Sequence, residues 1–416
     1  MDSKFYRAGM PSTPPEPVAV HPPLTDLSDV DLVAAVADEV RVPRDDPADS
    51  FVLHAPLELA ARVALLSRVP QPARDEARAR IADIAPEYRA FGPAVDEPAP
   101  ITFDSPADGA AALASAIDAG DLDAVDAAAT ALARLATGPE LRTLLAAVVV
   151  ARLSAAAHAP IFLYQLPRVS PRRELPGELL RPLVREVARQ PDWRLTWHER
   201  KVRRRHRSPD ALRAAIAATP RLGVPGSEFI YPVMSQAERG GMAADLLADA
   251  TAGVDLAVGM PIVLRAAAWS MLAEPRDYVP YGWTHCLTMP QAVLGIADVL
   301  DARTALAVAS TYVVGFRAAF AQRPLVETPP PDPEIDLTDA IDAGPDIAAA
   351  AAWNAPAPAM PRVVTELVTR AAVHHDAHYA KYTLACLDAA ASDPTHTRLY
   401  LAAAAKLGGY WATAPR

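Results

Sequence analysis

Prolines divide this chain of 416 residues into alanine-rich blocks, and this division constrains its fold more than any other feature. Because proline lacks a backbone N–H and clashes with the preceding turn, it ends most helices. Between the prolines, apolar residues recur at helical spacing, and no long run of alternating Val, Ile and Thr predicts a central strand. We therefore expect an all-α fold with few or no strands. Proline-rich segments lie at residues 9–24, 92–106, 323–335 and 354–361.

The order of these blocks predicts a proline-rich N-terminal arm over residues 1–26 and one large multi-helix domain over residues 27–416. Several helix starts carry capping signals, in which Ser, Thr or Gly comes just before a Pro or an acidic first turn. The last helix is expected to end near Gly408-Gly409. These start signals stand at Ser28, Ser105, Gly138 and Ser208, and Thr395, which follows Asp393-Pro394, is expected to open the last helix.

Charge and cysteine content narrow the class of protein. A net charge of −10 argues against a nucleic-acid partner, since phosphate binding needs clustered Lys and Arg. The basic stretch 200–207 is interpreted as a solvated loop or helix face. Two cysteines cannot form a disulfide framework, which favours a reducing compartment. With neither a signal-like N-terminus nor a long apolar span, we expect a cytoplasmic protein without a membrane partner.

The ten histidines are the most informative polar residues. His21 lies in the proline-rich arm, His198 and His206 lie in the basic stretch and are expected to be solvated, and His396 lies near the start of the last helix. The others stand among apolar residues, where an imidazole must be hydrogen-bonded or bound to a metal. These are His54, His158, His285, His374, His375 and His378.

The densest group lies in residues 373–382. On one continuous helix, His374, His378 and Lys381 would stand at i, i+4 and i+7 and share a face, so that two imidazoles could converge on one ion. A lysine on an apolar face should pair, lose its proton or be modified, because burying an ammonium is costly. The alternative is a polar helix face turned toward a loop.

The other three histidines stand beside prolines. His285 lies between Trp283 and Cys286, ahead of Pro290, and we expect a rigid turn to hold it before a helix over residues 291–300. His54 and His158 share a His-Ala-Pro core, in which proline pushes the preceding residue out of the α region. Each of these histidines, taken singly, is better explained as a packed core residue than as a ligand.

The ordered series of histidine motifs resembles the questin oxidase-like family over about residues 50–410. Members of this family include fungal enzymes that oxidatively open anthraquinone rings. The Asp-x-His-x-x-Lys motif, followed by an alanine-rich terminal helix, is the most specific piece. The series runs Leu53-His54, Ala157-His158-Ala159-Pro160-Ile161, Trp283-Thr284-His285 with Pro290, and Asp376-Ala377-His378-Tyr379-Ala380-Lys381.

The resemblance implies a mononuclear Fe(II) site with four histidine ligands and a lysine that is carboxylated on its amine. The whole helical domain would then be a catalytic domain wrapped around a buried metal, and it would oxidise a small aromatic, polyketide-like substrate with O2. His374 is the alternate fourth histidine, and Asp376 would orient an imidazole from behind. The implied ligands are His54, His158, His285, His378 and Lys381.

The residues leave other readings open. A metallohydrolase with a carboxylated lysine predicts a β/α barrel, and a non-catalytic helical binding protein predicts that the histidines lie apart. No Gly-rich dinucleotide motif supports NADPH binding. The sequence leaves the oligomeric state open. Aromatic residues that could line a substrate pocket are Trp193, Trp197, Tyr278, Tyr281, Trp283 and Trp411.

Overall fold

The computed structural model describes residues 26–45, 51–168, 175–200, 208–225 and 230–414. Within these ranges the chain forms helices, joined by loops, and two isolated bridges, Arg44 with Ala94 and Arg152 with Arg194, with no strand. The predicted all-α fold is confirmed. The predicted arm over residues 1–26 lies almost wholly outside the described residues, as do His21, His206 and most of the basic stretch.

The helices of the N-terminal half are α1 Asp29–Val40, α2 Phe51–Leu66, α3 Gln71–Arg89, α4 Pro106–Ala119, α5 Leu122–Leu135, α6 Gly138–Val149, α7 Ala159–Gln165, α8 Leu175–Glu178, α9 Leu180–Ala188 and α10 Pro209–Ala217. Those of the C-terminal half are α11 Ile230–Arg239, α12 Met242–Leu247, α13 Leu256–Ala273, α14 Thr284–Gly295, α15 Ala302–Phe320, α16 Leu337–Ala343, α17 Pro345–Asn354, α18 Met360–Val373, α19 Ala377–Ser392 and α20 Thr397–Thr413.

Most predicted helix starts agree with the structure. The Ser28 hydroxyl accepts the N–H of Asp31 at 3.2 Å, and α10 begins directly after Ser208. The last helix departs from expectation. It starts at Thr397, after a 3-10 turn, and runs through Gly408 and Gly409 to Thr413. The glycines do not end α20 because they allow close packing: a Cβ on Gly409 would lie 2.6 Å from the backbone of Gly344.

Two other predicted helices are wrong in their bounds. The segment 373–382 is not continuous, because α18 ends at Val373 and α19 begins at Ala377. No helix starts at residue 291, because Pro290 lies inside α14. Proline costs one backbone hydrogen bond there, but α14 is buried on all sides, and this packing keeps the helix continuous.

Helix α13 is the only described helix that is long and apolar enough, by length and composition, to cross a bilayer, with a mean hydropathy of 1.6. It packs against α15 and α20, and 56% of the stretch Leu256–Ala273 is buried in the fold. Buried core helices of folded domains have the same length and apolar composition, so these two features alone do not indicate a membrane span.

Candidate metal centre

Four helices meet in the interior, and each contributes one imidazole. His54 lies on α2, His158 caps α7, His285 lies in the first turn of α14 and His378 in the first turn of α19. Neighbouring ring centroids are 4.7 Å apart for His54 and His378, 4.9 Å for His54 and His158, 5.0 Å for His285 and His378, and 5.8 Å for His158 and His285. All four contacts are edge-on, so the rings form a closed circle.

Three of these imidazoles already have the spacing of a ligand set. One ring nitrogen from each of His54, His285 and His378 lies within 4.8 Å of the others, close enough to bind one ion after small shifts. His158 stands outside this triad, but its buried Nε2 has no hydrogen-bond partner in the described chain. An unpaired buried nitrogen is costly, so a fourth ligand position at His158 fits the arrangement.

Hydrogen bonds on the outer side fix which nitrogen faces the centre. Nδ1 of His158 donates to the carbonyl of Ala155 at 3.0 Å, and Nδ1 of His285 donates to the carbonyl of Tyr281. Nδ1 of His378 lies 3.1 Å from a carboxylate oxygen of Asp376. In a neutral imidazole with a proton on Nδ1, the lone pair is on Nε2. The same pattern of outer bonds orients histidines in metal sites.

The backbone before His158 is strained. Ala155, Ala156 and Ala157 have φ values of 51°, 48° and 53°, which form a left-handed turn. An L-residue with a Cβ pays roughly 1–2 kcal/mol in this conformation, and glycine alone adopts it freely. The turn brings the Ala155 carbonyl to the His158 ring. Such strain, where packing maintains it, is found mainly at functional sites.

A π-helical turn, Val279–Trp283, leads into α14 and places His285. The expected rigid turn ahead of a helix is therefore wrong in detail, because His285 itself is helical. Single π turns occur frequently at functional sites, since the wider turn makes carbonyls available to side chains. Here the Thr284 hydroxyl donates to the Pro280 carbonyl at 2.8 Å.

The break between α18 and α19 separates His378 from His374. Asp376 caps α19 and accepts the N–H of His378 at 2.7 Å, while Nδ1 of His374 accepts the N–H of Asp376 at 3.0 Å. The His374 ring packs against His375 and Trp411, at centroid distances of 4.3 and 5.0 Å. The prediction that His374 shares a face with His378 is wrong, because a helix terminus lies between them.

Lys381 lies one turn after His378 and is 7% exposed. Its Nζ has no hydrogen-bond partner among the described residues. Burial lowers the pKa of its amine to about 8, although the carboxylates of Asp376 and Glu58 oppose the shift. The amine is therefore mostly protonated at pH 7, but it loses its proton at a much lower pH than an ordinary lysine.

The electrostatic environment keeps the imidazoles neutral. Burial is the largest cause that lowers the pKa of all four rings, and the positive charge of Lys381 is the next cause for His54, His158 and His378. His54 nevertheless keeps some accessible surface. Neutral imidazoles suit iron, zinc, copper or nickel.

A buried arginine joins α2 to the end of α18. The Arg62 Nε donates to Glu58 at 2.7 Å, and its NH groups donate to the carbonyls of Ala372 and His374, each at 2.6 Å. These carbonyls are left without helical partners at the end of α18. Arg62 therefore ties α2 to the turn that carries His378. Sequence reasoning missed it, although His54, Glu58 and Arg62 recur every four residues along an apolar helix.

Other sequence expectations fare unevenly. His198 is 8% exposed and packs near Trp197, so the expectation that it is solvated is wrong, because a described 3-10 turn folds it inward. Trp197 and Trp283 are fully buried core residues. Of the aromatic residues proposed for a pocket, Tyr281 approaches the centre most closely, with its ring 4.9 Å from that of His378. Trp411 lies behind it, 6.4 Å from Tyr281.

The geometry also bears on the non-catalytic alternative, which predicts that the four histidines lie apart. They lie together, and the donor set matches the preferences of a divalent transition metal. No family model, no curated protein and no solved structure matches this chain. The interpretation of the site therefore depends on the sequence and on the geometry described above.

Proposed function

We propose that this chain is a non-haem iron oxygenase that oxidises an aromatic, polyketide-like substrate with O2, as the resemblance to the questin oxidase-like family implies. One observation carries the proposal: four imidazoles from four helices form a closed circle of ring contacts, beside a buried lysine whose amine has no hydrogen-bond partner among the described residues. Fe(II) bound there would supply the binding and activation of O2.

The ligands in this proposal are His54, His158, His285 and His378, with Lys381 carboxylated on its amine. Nζ forms an N–C bond to CO2 and releases its proton to water, which yields a carbamate anion. Four imidazoles leave the full dication charge in an apolar interior, and one carbamate reduces it to a net +1. A buried charge needs such compensation. These five protein donors would hold the metal.

The surrounding side chains would orient the ligands and limit the access of water. Asp376 holds the Nδ1 proton of His378, and the Ala155 carbonyl holds that of His158. Apolar neighbours on α14 and α19 exclude bulk solvent from the centre. Ring cleavage and hydroxylation are both compatible with this site. The metallohydrolase alternative is not favoured, because the described residues form no strand of a β/α barrel.

Metal analysis of the purified full-length protein tests the proposal. We expect one equivalent of iron in the wild type and a large loss of iron in His285→Ala, because one inward-facing donor is removed. His396→Ala is the matched control, since His396 lies in a 3-10 turn away from the cluster. A wild type that takes up no metal after reconstitution with Fe(II) would reject the metal centre.

Two further measurements separate the parts of the proposal. Carbon-13 NMR after equilibration with labelled bicarbonate should show a carbamate resonance that is absent from Lys381→Met. Incubation of the iron-loaded protein with polycyclic aromatic phenols under labelled O2 should give labelled products. If iron binds but no labelled oxygen enters any product, the oxygenase assignment fails and a metalloprotein of another activity remains.

A further inference from the structure

Tyr281 contacts two of the four imidazoles by two different routes. It is the middle residue of the π turn Val279–Trp283 and is partly buried. Its backbone and its hydroxyl both take part in hydrogen bonds, and its ring packs edge-on against His378 at a centroid distance of 4.9 Å.

The first route runs through the backbone. The Tyr281 carbonyl accepts the Nδ1 proton of His285, and it also accepts the Thr284 hydroxyl at 3.2 Å. The widened π turn exposes this carbonyl to side chains that follow it. As a result, the tautomer and the ring plane of His285 are set by main-chain geometry.

The second route runs through the side chain. The Tyr281 hydroxyl donates to Oδ2 of Asp376 at 3.3 Å, while Oδ1 of Asp376 accepts the backbone N–H of His378 at 2.7 Å and lies 3.1 Å from its Nδ1. The hydroxyl therefore restrains the rotation of the carboxylate that orients His378. Because Tyr281 belongs to the element before α14 and Asp376 caps α19, this bond links the two helices.

We propose that Tyr281 is a positioning residue that aligns His285 and His378 together, so that both present Nε2 to the same point. Its carbonyl acts on His285 and its hydroxyl acts on His378 through Asp376. The consequence for metal binding rests on the proposed function, whereas the consequence for the imidazole rings does not.

Tyr281→Phe tests the hydroxyl route while keeping the ring and the carbonyl. Tyr231→Phe is the matched control, because Tyr231 is also partly buried and its hydroxyl accepts a hydrogen bond from Arg239 at 2.9 Å, but it lies on α11. Nitrogen-15 NMR of histidine-labelled, metal-free protein reports the tautomer of each ring. Titration of the same proteins with Co(II) reports affinity and, through the visible absorption bands, ligand geometry.

In the wild type we expect His285 and His378 to carry their protons on Nδ1. In Tyr281→Phe the His378 signals should move toward a mixture of tautomers while those of His285 stay, and Co(II) affinity should fall about 10-fold with altered absorption bands. Tyr231→Phe should match the wild type. Unchanged His378 signals in Tyr281→Phe would overturn the inference. A wild type that binds no Co(II) would instead refute the proposed metal site and leave the ring result as the test of Tyr281.

Discussion

The two lysines of the last two helices are both buried, and they differ in almost everything else. Lys381 on α19 is 7% exposed and its Nζ has no partner in the described chain, whereas Lys406 on α20 is 1% exposed. Lys406 donates to the carbonyl of Glu274 at 2.6 Å and to that of Leu272 at 3.0 Å, and it pairs with Asp346 at 2.9 Å.

The difference separates a structural lysine from a functional candidate. A buried ammonium costs several kcal/mol unless acceptors surround it, and Lys406 has three. Lys381 lies near four imidazoles, but no acceptor among the described residues is within hydrogen-bond distance of its Nζ, so its burial is not offset by hydrogen bonds. Burial lowers the pKa of both amines, but only Lys406 has an ion pair that opposes the shift directly.

The largest effect is expected at Lys406. Lys406→Met should lower the free energy of unfolding by about 3 kcal/mol, because it leaves the Leu272 and Glu274 carbonyls unpaired in the interior. Chemical denaturation at neutral pH measures this change. If the variant is as stable as the wild type, the contacts of Lys406 do not stabilise the fold. Lys406 would then not differ from Lys381 as a structural lysine.

The gain in stability on Fe(II) binding should depend on Lys381 and not on Lys406. At a free Fe(II) concentration about 100 times the Kd, bound metal should stabilise the wild type by about 2.7 kcal/mol. Lys406→Met should gain the same increment from its lower starting point, since Lys406 lies on another helix. Lys381→Met should gain less, because it lacks the carbamate donor. An equal gain in Lys381→Met would remove Lys381 from the ligand set.

In metal-free, CO2-free buffer, Lys381→Met should raise the free energy of unfolding at pH 7 by about 2 kcal/mol, since a buried charge is replaced by an apolar chain of similar volume. Thermal and denaturant unfolding measure the change. A loss of stability equal to that of Lys406→Met would mean that the amine has a stabilising partner after all.

The smallest expected effect is a pH dependence of the difference in unfolding free energy between Lys381→Met and the wild type. The folded pKa of Lys381, about 8, lies below its ordinary value of 10.5, so between these values the unfolded chain binds more protons than the folded one. Wild-type stability should therefore rise with pH in this window, by about 1 kcal/mol from pH 8 to pH 9, relative to Lys381→Met. A constant difference between the two proteins would indicate that Lys381 is already neutral or modified.

Much of the architecture could be predicted because it depends on local signals. Proline punctuation and capping serines mark the helices, whereas apolar surroundings alone left each histidine a possible core residue, and only the ordered series of motifs grouped four of them. The error at His374 came from treating residues 373–382 as one helix, where Asp376 instead caps a new one. An Asp such as Asp376 can cap a new helix or lie within a continuous one. The residues around it do not decide between these two positions, which depend on tertiary packing.

Other parts of the site have no sequence signal at all. The carbonyl of Tyr281 acts through its position in a π turn, which any residue type could occupy. Arg62 could have been suspected from its spacing with His54 and Glu58, but its bonds to the end of α18 join residues about 310 positions apart. Long-range contacts of this kind depend on the complete fold.

The alanine turn before His158 has a consequence for how the centre assembles. Free alanine segments favour right-handed and extended conformations, so residues 155–157 cannot be preformed in the unfolded chain. Only the surrounding packed helices can impose the inverted hand, and the turn will revert when they loosen. The position of the His158 ring therefore depends on an intact interior, because the turn that holds it keeps its conformation only while the surrounding helices stay packed.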